Sequence, residues 1–323
     1  TIKRLLIIFL ATFLLVACED QLNQLPQTSI LADNYYTTEE NVESTVTAVY
    51  HNLQSMYSYY MIPWGEIPSD NTYVQAPNSN GGLRSMEDFT WTSIDGFVTS
   101  IWENAYHGIL WSNTVLEVIE KIHYKSETTK AIRKGEMKFM RGFLYYLLTV
   151  IYGEVPLVIK TEDPTYAFND TRAPITEIYT QIEKDLLEAL EALPTTNSPG
   201  RVDAYAARAI LARHYMRLQD FGKAELLLEA IVASDKYMLV GIDELYGVEN
   251  EGNKEDVFSV QYVSDLNGKT EGNGYYYYFT LPDNQGGRGV MAMEKAMYNS
   301  YEENDLRKNL VNPSGNDYYI NKW

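Results

Sequence analysis

Four successive stretches between residues 129 and 234 carry apolar side chains at every third or fourth position, a spacing that gives a helix one apolar face and no means of covering it alone. Such helices must stack on one another, so the chain is expected to be mainly α. The first stretch runs from Thr129 to Tyr152, with Phe139, Met140, Phe143, Leu144, Leu147, Leu148 and Ile151 in phase, and stops at Gly153 and Pro156. The second starts at Pro174 and Thr176; Ile178, Ile182, Leu186, Ala189, Leu190 and Leu193 trace its face, and Pro194 ends it. Asp203 caps a third helix through Leu218, and a turn at Asp220 to Gly222 leads into the fourth, Lys223 to Ser234. In that last pair Ala207, Leu211, Tyr215, Phe221, Ala224 and Ala230 are placed much as in a tetratricopeptide repeat, where small residues let antiparallel helices pack closely. Units of this kind stack into a right-handed array.

Two more amphipathic helices precede the array, Glu39 to Tyr60 and Trp102 to Ile122, the latter with a stripe of Ile101, Ala105, Ile109, Val115, Leu116 and Ile119. Between them, Ile62 to Ser100 carries Pro63, Pro68, Pro77, Gly81 and Gly82 and reads as a long loop, a feature that in compact domains is functional or disordered. After Tyr237 the composition changes. Strand-like Asp256 to Tyr262, turns rich in Gly and Asn, a run from Tyr275 to Phe279, a short helix near Val290 to Tyr301 and a closing strand at Tyr318 to Trp323 predict irregular structure beside the repeats. Residues 35–323 thus read as one helical-repeat domain, tetratricopeptide-like, with long irregular loops and a few short strands.

The N-terminus has a different character. Lys3 and Arg4 are followed by twelve almost purely apolar residues from Leu5 to Val16, too few to span a bilayer, which takes about 20. Leu15-Val16-Ala17-Cys18 fits the lipobox of bacterial lipoproteins, and Cys18 is the only cysteine in the chain. Residues 1–17 are therefore expected to be a lipoprotein signal peptide. Residues 18–34 are expected to be a lipidated cysteine and a polar tether, held in a membrane at about 0.8 kcal/mol per buried CH₂ of acyl chain. Thr1 is not an initiator methionine, so residues upstream are expected. The net charge of −18 argues against nucleic acid or an anionic lipid surface as a partner. Twenty-seven tyrosines exceed what a core needs and suggest a binding surface.

Several motifs, in order along the chain, resemble the SusD/RagB family of nutrient-binding outer-membrane lipoproteins. These are Cys18-Glu19-Asp20-Gln21-Leu22-Asn23 with Pro26; Tyr35-Tyr36-Thr37-Thr38-Glu39-Glu40; and Trp102, Tyr106, Ile109 and Asn113. The most characteristic is Lys138-Phe139-Met140-Arg141-Gly142-Phe143-Leu144-Tyr145-Tyr146-Leu147 followed by Tyr152-Gly153-Glu154-Val155-Pro156-Leu157. Asp185-Leu186-Leu187-Glu188-Ala189-Leu190 with Leu193-Pro194, then Gly200 to Ala207, complete the likeness. The resemblance implies a starch- or other glycan-binding subunit that sits on a SusC-like TonB-dependent barrel and hands oligosaccharide or polysaccharide to it. It also implies a surface-exposed lipid anchor, with Glu19 and Asp20 resembling the export signal, where in other Gram-negative bacteria an acidic residue in that place means retention in the inner membrane. Family members continue beyond the point where this sequence stops, so the chain is expected to be a piece of a longer protein. Peptide capture, which some members perform, remains an alternative, as does a pure scaffold role.

A sugar ring presents apolar C–H faces and a rim of hydroxyls, so its binders pair exposed aromatic rings with planar polar side chains. In the first loop Trp64, Tyr73 and Trp91 supply rings, and Asp70, Asn71, Asn78, Asn80 and Arg84 supply hydrogen bonds. Trp64 and Trp91 equally fit a role of pinning the loop to the repeats. In the later region Asn273, Tyr275, Tyr276, Tyr277, Tyr278 and Arg288 form a second candidate set. If that run is a strand, Tyr275 and Tyr277 face one side and Tyr276 and Tyr278 the other, with internally bonded phenols as the alternative. The two regions are expected to meet in one groove. Enzymatic patterns are absent: Gly286-Gly287-Arg288-Gly289 lacks a P-loop lysine, and no G-x-S-x-G or H-E-x-x-H occurs. His51, His107, His123 and His214 are scattered. Glu66 with Asp70, or Asp163 with Asp170, resemble a glycosidase acid and base only as any acidic chain would. The stretch Asp265 to Asn273 lacks EF-hand spacing. No cofactor, metal or catalytic residue is expected.

Overall fold

The computed structural model describes residues 35–75, 81–161, 171–263, 272, 274, 278–281 and 287–322. The signal, Cys18, the tether, Asn78, Asn80, the Asp163/Asp170 pair, the Asp265 to Asn273 stretch apart from Gly272, and Tyr275, Tyr276 and Tyr277 lie outside the described residues.

Helix α1 (Glu39–Ser55) opens with a reciprocal cap: the Asn41 amide donates to Thr38 Oγ1 at 3.3 Å and the Thr38 amide to Asn41 Oδ1 at 3.2 Å. It buries Val42, Val46, Val49 and Leu53. A π-turn over Met56–Tyr60 then leads straight into α2 (Met61–Glu66). The predicted loop is therefore corrected at its start, and Trp64 stands on a helix. The wide turn interrupts the regular hydrogen-bond ladder just ahead of Pro63, where a donor is missing in any case. Strand β1 (Thr72–Val74) and α3 (Gly81–Glu87) occupy more of the same span, in pieces too short for periodicity to announce.

The long helices follow as α4 (Gly96–Val118), α5 (Glu127–Tyr152), α6 (Ile175–Ala192), α7 (Ala204–Arg217) and α8 (Phe221–Val232). Helix α1 packs on α4, and from α4 onward each packs on its successor, the stacked array that the sequence implies. Helix α4 starts earlier than the predicted Trp102 because the Asp95 carbonyl already accepts from Val98 and Thr99 at 2.9 Å. Close approach at two crossings rests on glycine. A Cβ on Gly108 would lie 2.6 Å from Leu144 Cδ1, and one on Gly142 would lie 3.2 Å from Leu186 Cγ.

At the α5–α6 crossing Arg141, 4% exposed, meets Asp185, 0% exposed. Both guanidinium-to-carboxylate bonds are 2.7 Å, and Arg141 Nη1 also donates to Asn113 Oδ1 at 2.7 Å and to the Ile159 carbonyl at 3.1 Å. Three of the motif residues, far apart in sequence, thus converge on one buried network. Every lone pair it leaves unmatched would be costly, which makes the crossing geometrically specific.

In the α7–α8 pair Ala207, Leu211, Tyr215 and Ala224 are buried as the repeat pattern requires. Phe221 is a correction: it is 63% exposed, at the first position of α8 on a face that no described residue covers.

The chain's end returns to its beginning. Strands β2 (Met291–Met293), β3 (Val311–Ser314) and β4 (Asp317–Ile320) join β1 in an antiparallel sheet ordered β1-β2-β4-β3. The predicted helix near Val290 to Tyr301 is therefore split into β2 and a short helix at Lys295–Ser300. Asp256 to Tyr262 forms no ladder strand. Its tail is fixed to α1 by side chains, with Gln54 Nε2 donating to the Gln261 carbonyl at 2.7 Å and Tyr262 OH to the Gln54 carbonyl at 3.0 Å. A second, smaller core of Ile67, Val74, Leu83, Met86, Phe97, Tyr278, Phe279, Val290 and Met291 lies between sheet and helices.

Candidate functional site

Strand β1, from the first candidate region, pairs with β2, which follows the second candidate region in the chain. Thr72, Tyr73 and Val74 pair with Met293, Ala292 and Met291, and the ladder extends through Gln75 N to Val290 O at 3.0 Å and Glu294 N to Asn71 O at 2.8 Å. Tyr73, half-buried, donates its hydroxyl to Asp317 Oδ1 at 2.5 Å. Burial and this carboxylate push the phenol up to about 12, so it stays a protonated donor already committed within the sheet. Tyr278 is 3% exposed and packs on Tyr59 at 5.2 Å between ring centroids, inside the second core. It forms a helical turn with Phe279, not a strand, so the expected alternation of the tyrosine run does not hold at its described end. Arg288 is exposed, as are Asp70 and Asn71.

Trp64 is half-buried and donates Nε1–H to the Phe97 carbonyl at 3.0 Å. Its ring meets Trp91 and Tyr152 edge-on at 5.7 and 6.2 Å, and Tyr152 continues to Trp102 at 5.3 Å. This ladder of rings fastens α2 to α4 and α5, and Trp91 is its outer rung.

Beyond Trp91 stands a residue that the sequence reading passed over. Helix α3 ends in a Schellman motif, with Thr90 N bonded to Ser85 O at 2.8 Å and Phe89 N to Met86 O at 3.4 Å. The motif puts Phe89 in the left-handed region at φ 54°, a place that glycine normally fills. A bulky residue there costs about 1–2 kcal/mol. The ring at this turn is 66% exposed and tilted against Trp91 at 5.3 Å. Together the two rings make an aromatic shelf. The only signal in the sequence was a helix end without glycine, Glu87-Asp88-Phe89-Thr90, and helix ends are legible only once the helix itself is found.

Polar groups surround the shelf. Arg84 Nε reaches Asp88 Oδ2 and Nη1 reaches Glu87 Oε2, both at 3.3 Å, and Nη1 also donates to the Val74 carbonyl at 3.3 Å. Glu87 Oε2 accepts from Val74 N at 3.1 Å, and Asp95 accepts from the Thr92 amide and hydroxyl at 2.5 and 3.0 Å. Thr90, Thr92 and Ser93 are exposed.

At the opposite end of β1 a cavity of about 250 Å³ is lined by Glu66, Asn71, Tyr246, Tyr301, Arg307 and Lys322 among others. Two of its cations lie over its own tyrosines, Arg307 over Tyr301 at 4.6 Å and Lys322 over Tyr246 at 5.1 Å. Among the described residues no group of three or more His, Cys, Asp or Glu is placed to hold a metal ion, and no helix is long and apolar enough to cross a membrane.

A family model described as starch-binding and associating with the outer membrane matches residues 25–216. SusD-like protein P38 of Formosa agariphila is 25% identical over 288 residues, covering 84% of this chain and 56% of that protein. A SusD-like protein of Bacteroides ovatus is 24% identical over 280 residues, covering 81% of this chain and 50% of its own length. The chain therefore spans about half the length of these relatives. Among solved structures, a laminarin-binding SusD-like protein superposes with a TM-score of 0.79 at 22% identity, over 89% of this chain and 72% of that one. Surface glycan-binding protein A from Bacteroides fluxus superposes with a TM-score of 0.74 at 21% identity, over 88% and 69%. The helical array, its motif-built crossings and a family model that spans more than half of the sequence lead to one statement: this chain belongs to the SusD-like family.

Proposed function

We propose that this chain captures oligosaccharide or polysaccharide at the cell surface and passes it to a TonB-dependent outer-membrane barrel, acting by binding and not by catalysis. The observation that carries the reading is Phe89. A protein that spends backbone strain to hold an aromatic ring out in water, beside a half-exposed tryptophan, is arranged to receive a flat apolar face. The C–H face of a pyranose fits such a shelf, and the Thr90, Thr92, Ser93 and Asp88 rim suits its hydroxyls. That structural neighbours are named as laminarin-binding and surface glycan-binding supports the same ligand class. The lipid anchor on Cys18 and the barrel partner rest on the sequence motifs.

Peptide capture by strand addition finds less support. The free edge of β1 is occupied at Val74, whose N–H bonds to Glu87 and whose carbonyl bonds to Arg84, and the other edge strand carries Pro313. Among the described residues a glycosidase reading finds no built acid–base pair: Glu66 lines the cavity and Asp70 is exposed.

Affinity electrophoresis against a panel of polysaccharides tests the proposal, with a Phe89→Ala, Trp91→Ala variant run beside the parent. Retardation by a polymer, weakened about tenfold or more in the variant and without release of sugar, is expected, since buried aromatic anchors contribute more than about 1.4 kcal/mol. Equal retardation of variant and parent would refute the placement of the site.

A further inference from the structure

We infer that the shelf selects uncharged glycans and rejects polyanionic ones, such as uronate-rich or sulfated polymers; the inference rests on the glycan-binding reading above. From Trp64 to Phe97, the span that builds the shelf and its support, there are five carboxylates, Glu66, Asp70, Glu87, Asp88 and Asp95, and a single base, Arg84. A site for anionic sugars presents a free guanidinium or ammonium to the ligand carboxylate or sulfate. Arg84 is not free to do this. Its Nε is turned to Asp88 and its Nη1 to Glu87 and to the Val74 carbonyl, so its charge is already matched by two neighbouring carboxylates. Arg288 is exposed on the segment that runs into Val290, the partner of Gln75. Glu66 lines the cavity at the far end of β1 and Asp70 adjoins its lining residue Asn71, so the shelf itself has three carboxylates, Glu87, Asp88 and Asp95, against Arg84.

Distance makes the imbalance effective. Glu87 and Asp88 immediately precede Phe89 in the chain, and Asp95 closes the Trp91 loop through Thr92. These three carboxylates thus border in the chain the two residues that form the shelf, and charges at a site are screened over roughly 8 Å at physiological ionic strength. The whole chain, at a net charge of −18, adds repulsion of the same sign. A neutral sugar is indifferent to this field and gains acceptors for its hydroxyls from the same carboxylates.

The test runs the purified protein in affinity gels containing laminarin, amylopectin or xyloglucan, and in parallel gels containing pectate, alginate or carrageenan, each at low and at high salt. A Glu87→Gln, Asp88→Asn variant, which frees Arg84 while keeping the hydrogen-bonding shapes, accompanies it. Retardation by an uncharged polymer at both salt levels is expected, with none by the polyanions. In the variant, pectate should give measurable retardation at low salt where the parent shows none, and the gain should fade at high salt. Parent protein retarded by a polyanion, with the effect lost as salt rises, would overturn the inference while leaving glycan capture standing. So would a variant whose pectate affinity does not change. A folded parent retarded by no polymer of either kind would instead overturn glycan capture itself.

Discussion

Phe89 offers a direct reading of strain spent on function. Because the ring is 66% exposed, truncating it forfeits little burial, and a comparison of glycine with alanine at this position isolates the backbone. An alanine keeps the Cβ and so keeps the left-handed penalty of about 1–2 kcal/mol, which glycine escapes. Glycine gives back about 0.4–1 kcal/mol through its freer unfolded chain. Phe89→Gly should therefore be about 0.5–1 kcal/mol more stable than Phe89→Ala, the reverse of a helix interior, where alanine leads by about 1 kcal/mol. For a domain of this size that is a gap of about 1–4 °C in Tm. Urea unfolding should show the same order as a shift in midpoint at constant slope. Both variants should lose glycan retardation alike, so the more stable protein would be no better a binder. An alanine variant as stable as the glycine variant would refute the claim that position 89 is strained.

Other outcomes follow from the buried polar groups. Arg141→Met should cost about 3 kcal/mol, the low end for breaking a buried pair, because Lys138 Nζ at 3.5 Å still faces Asp185 Oδ1; Arg141→Met with Asp185→Leu should recover most of it, and equal unfolding midpoints for the single variant and the parent would contradict the network's role. His214 is fully buried in the repeat array beside Tyr179 and Tyr215, and neither ring nitrogen has a hydrogen-bond partner among the described residues. Burial and the nearby Arg217 hold its pKa below the usual 6.5, while Glu183 pulls the other way. The unfolded chain then takes up the proton first. Its contribution is complete above about pH 6.5 and is lost as pH falls from there through the depressed folded value, at up to about 1.4 kcal/mol per pH unit. Chemical unfolding of parent and His214→Phe at stepped pH values should show the parent losing stability faster on the acid side; parallel profiles would count against it.

What was legible in the sequence was whatever repeats over several turns. The α6 face, bounded by Pro174 and Pro194, appears in the fold with its predicted residues Ile178, Ile182, Leu186 and Ala189 buried, because a long amphipathic period leaves one solution. Arg141, Asn113 and Asp185 were visible as motif residues, but nothing in their spacing announced that they share one buried network. The short elements escaped for a plainer reason. β1 and β2 are three residues each and exist only as partners across more than 200 positions of chain, so no local pattern specifies them. Of the predicted site residues, Trp91 and Arg84 stand at the shelf, Trp64 supports it from beneath, Tyr73 is engaged with Asp317, and Tyr278 is core. Phe89 went unnoticed because its importance lies in a backbone angle.

The central claim is that a sugar ring rests on Phe89 and Trp91. A structure of the protein with a bound oligosaccharide, chosen from whichever polymer retards it, measures this most directly. The account predicts a pyranose stacked on that pair with its hydroxyls toward Asp88 and the Thr90 to Ser93 loop. A glycan seated in the Tyr246 and Tyr301 cavity, with both shelf rings left bare, would contradict it.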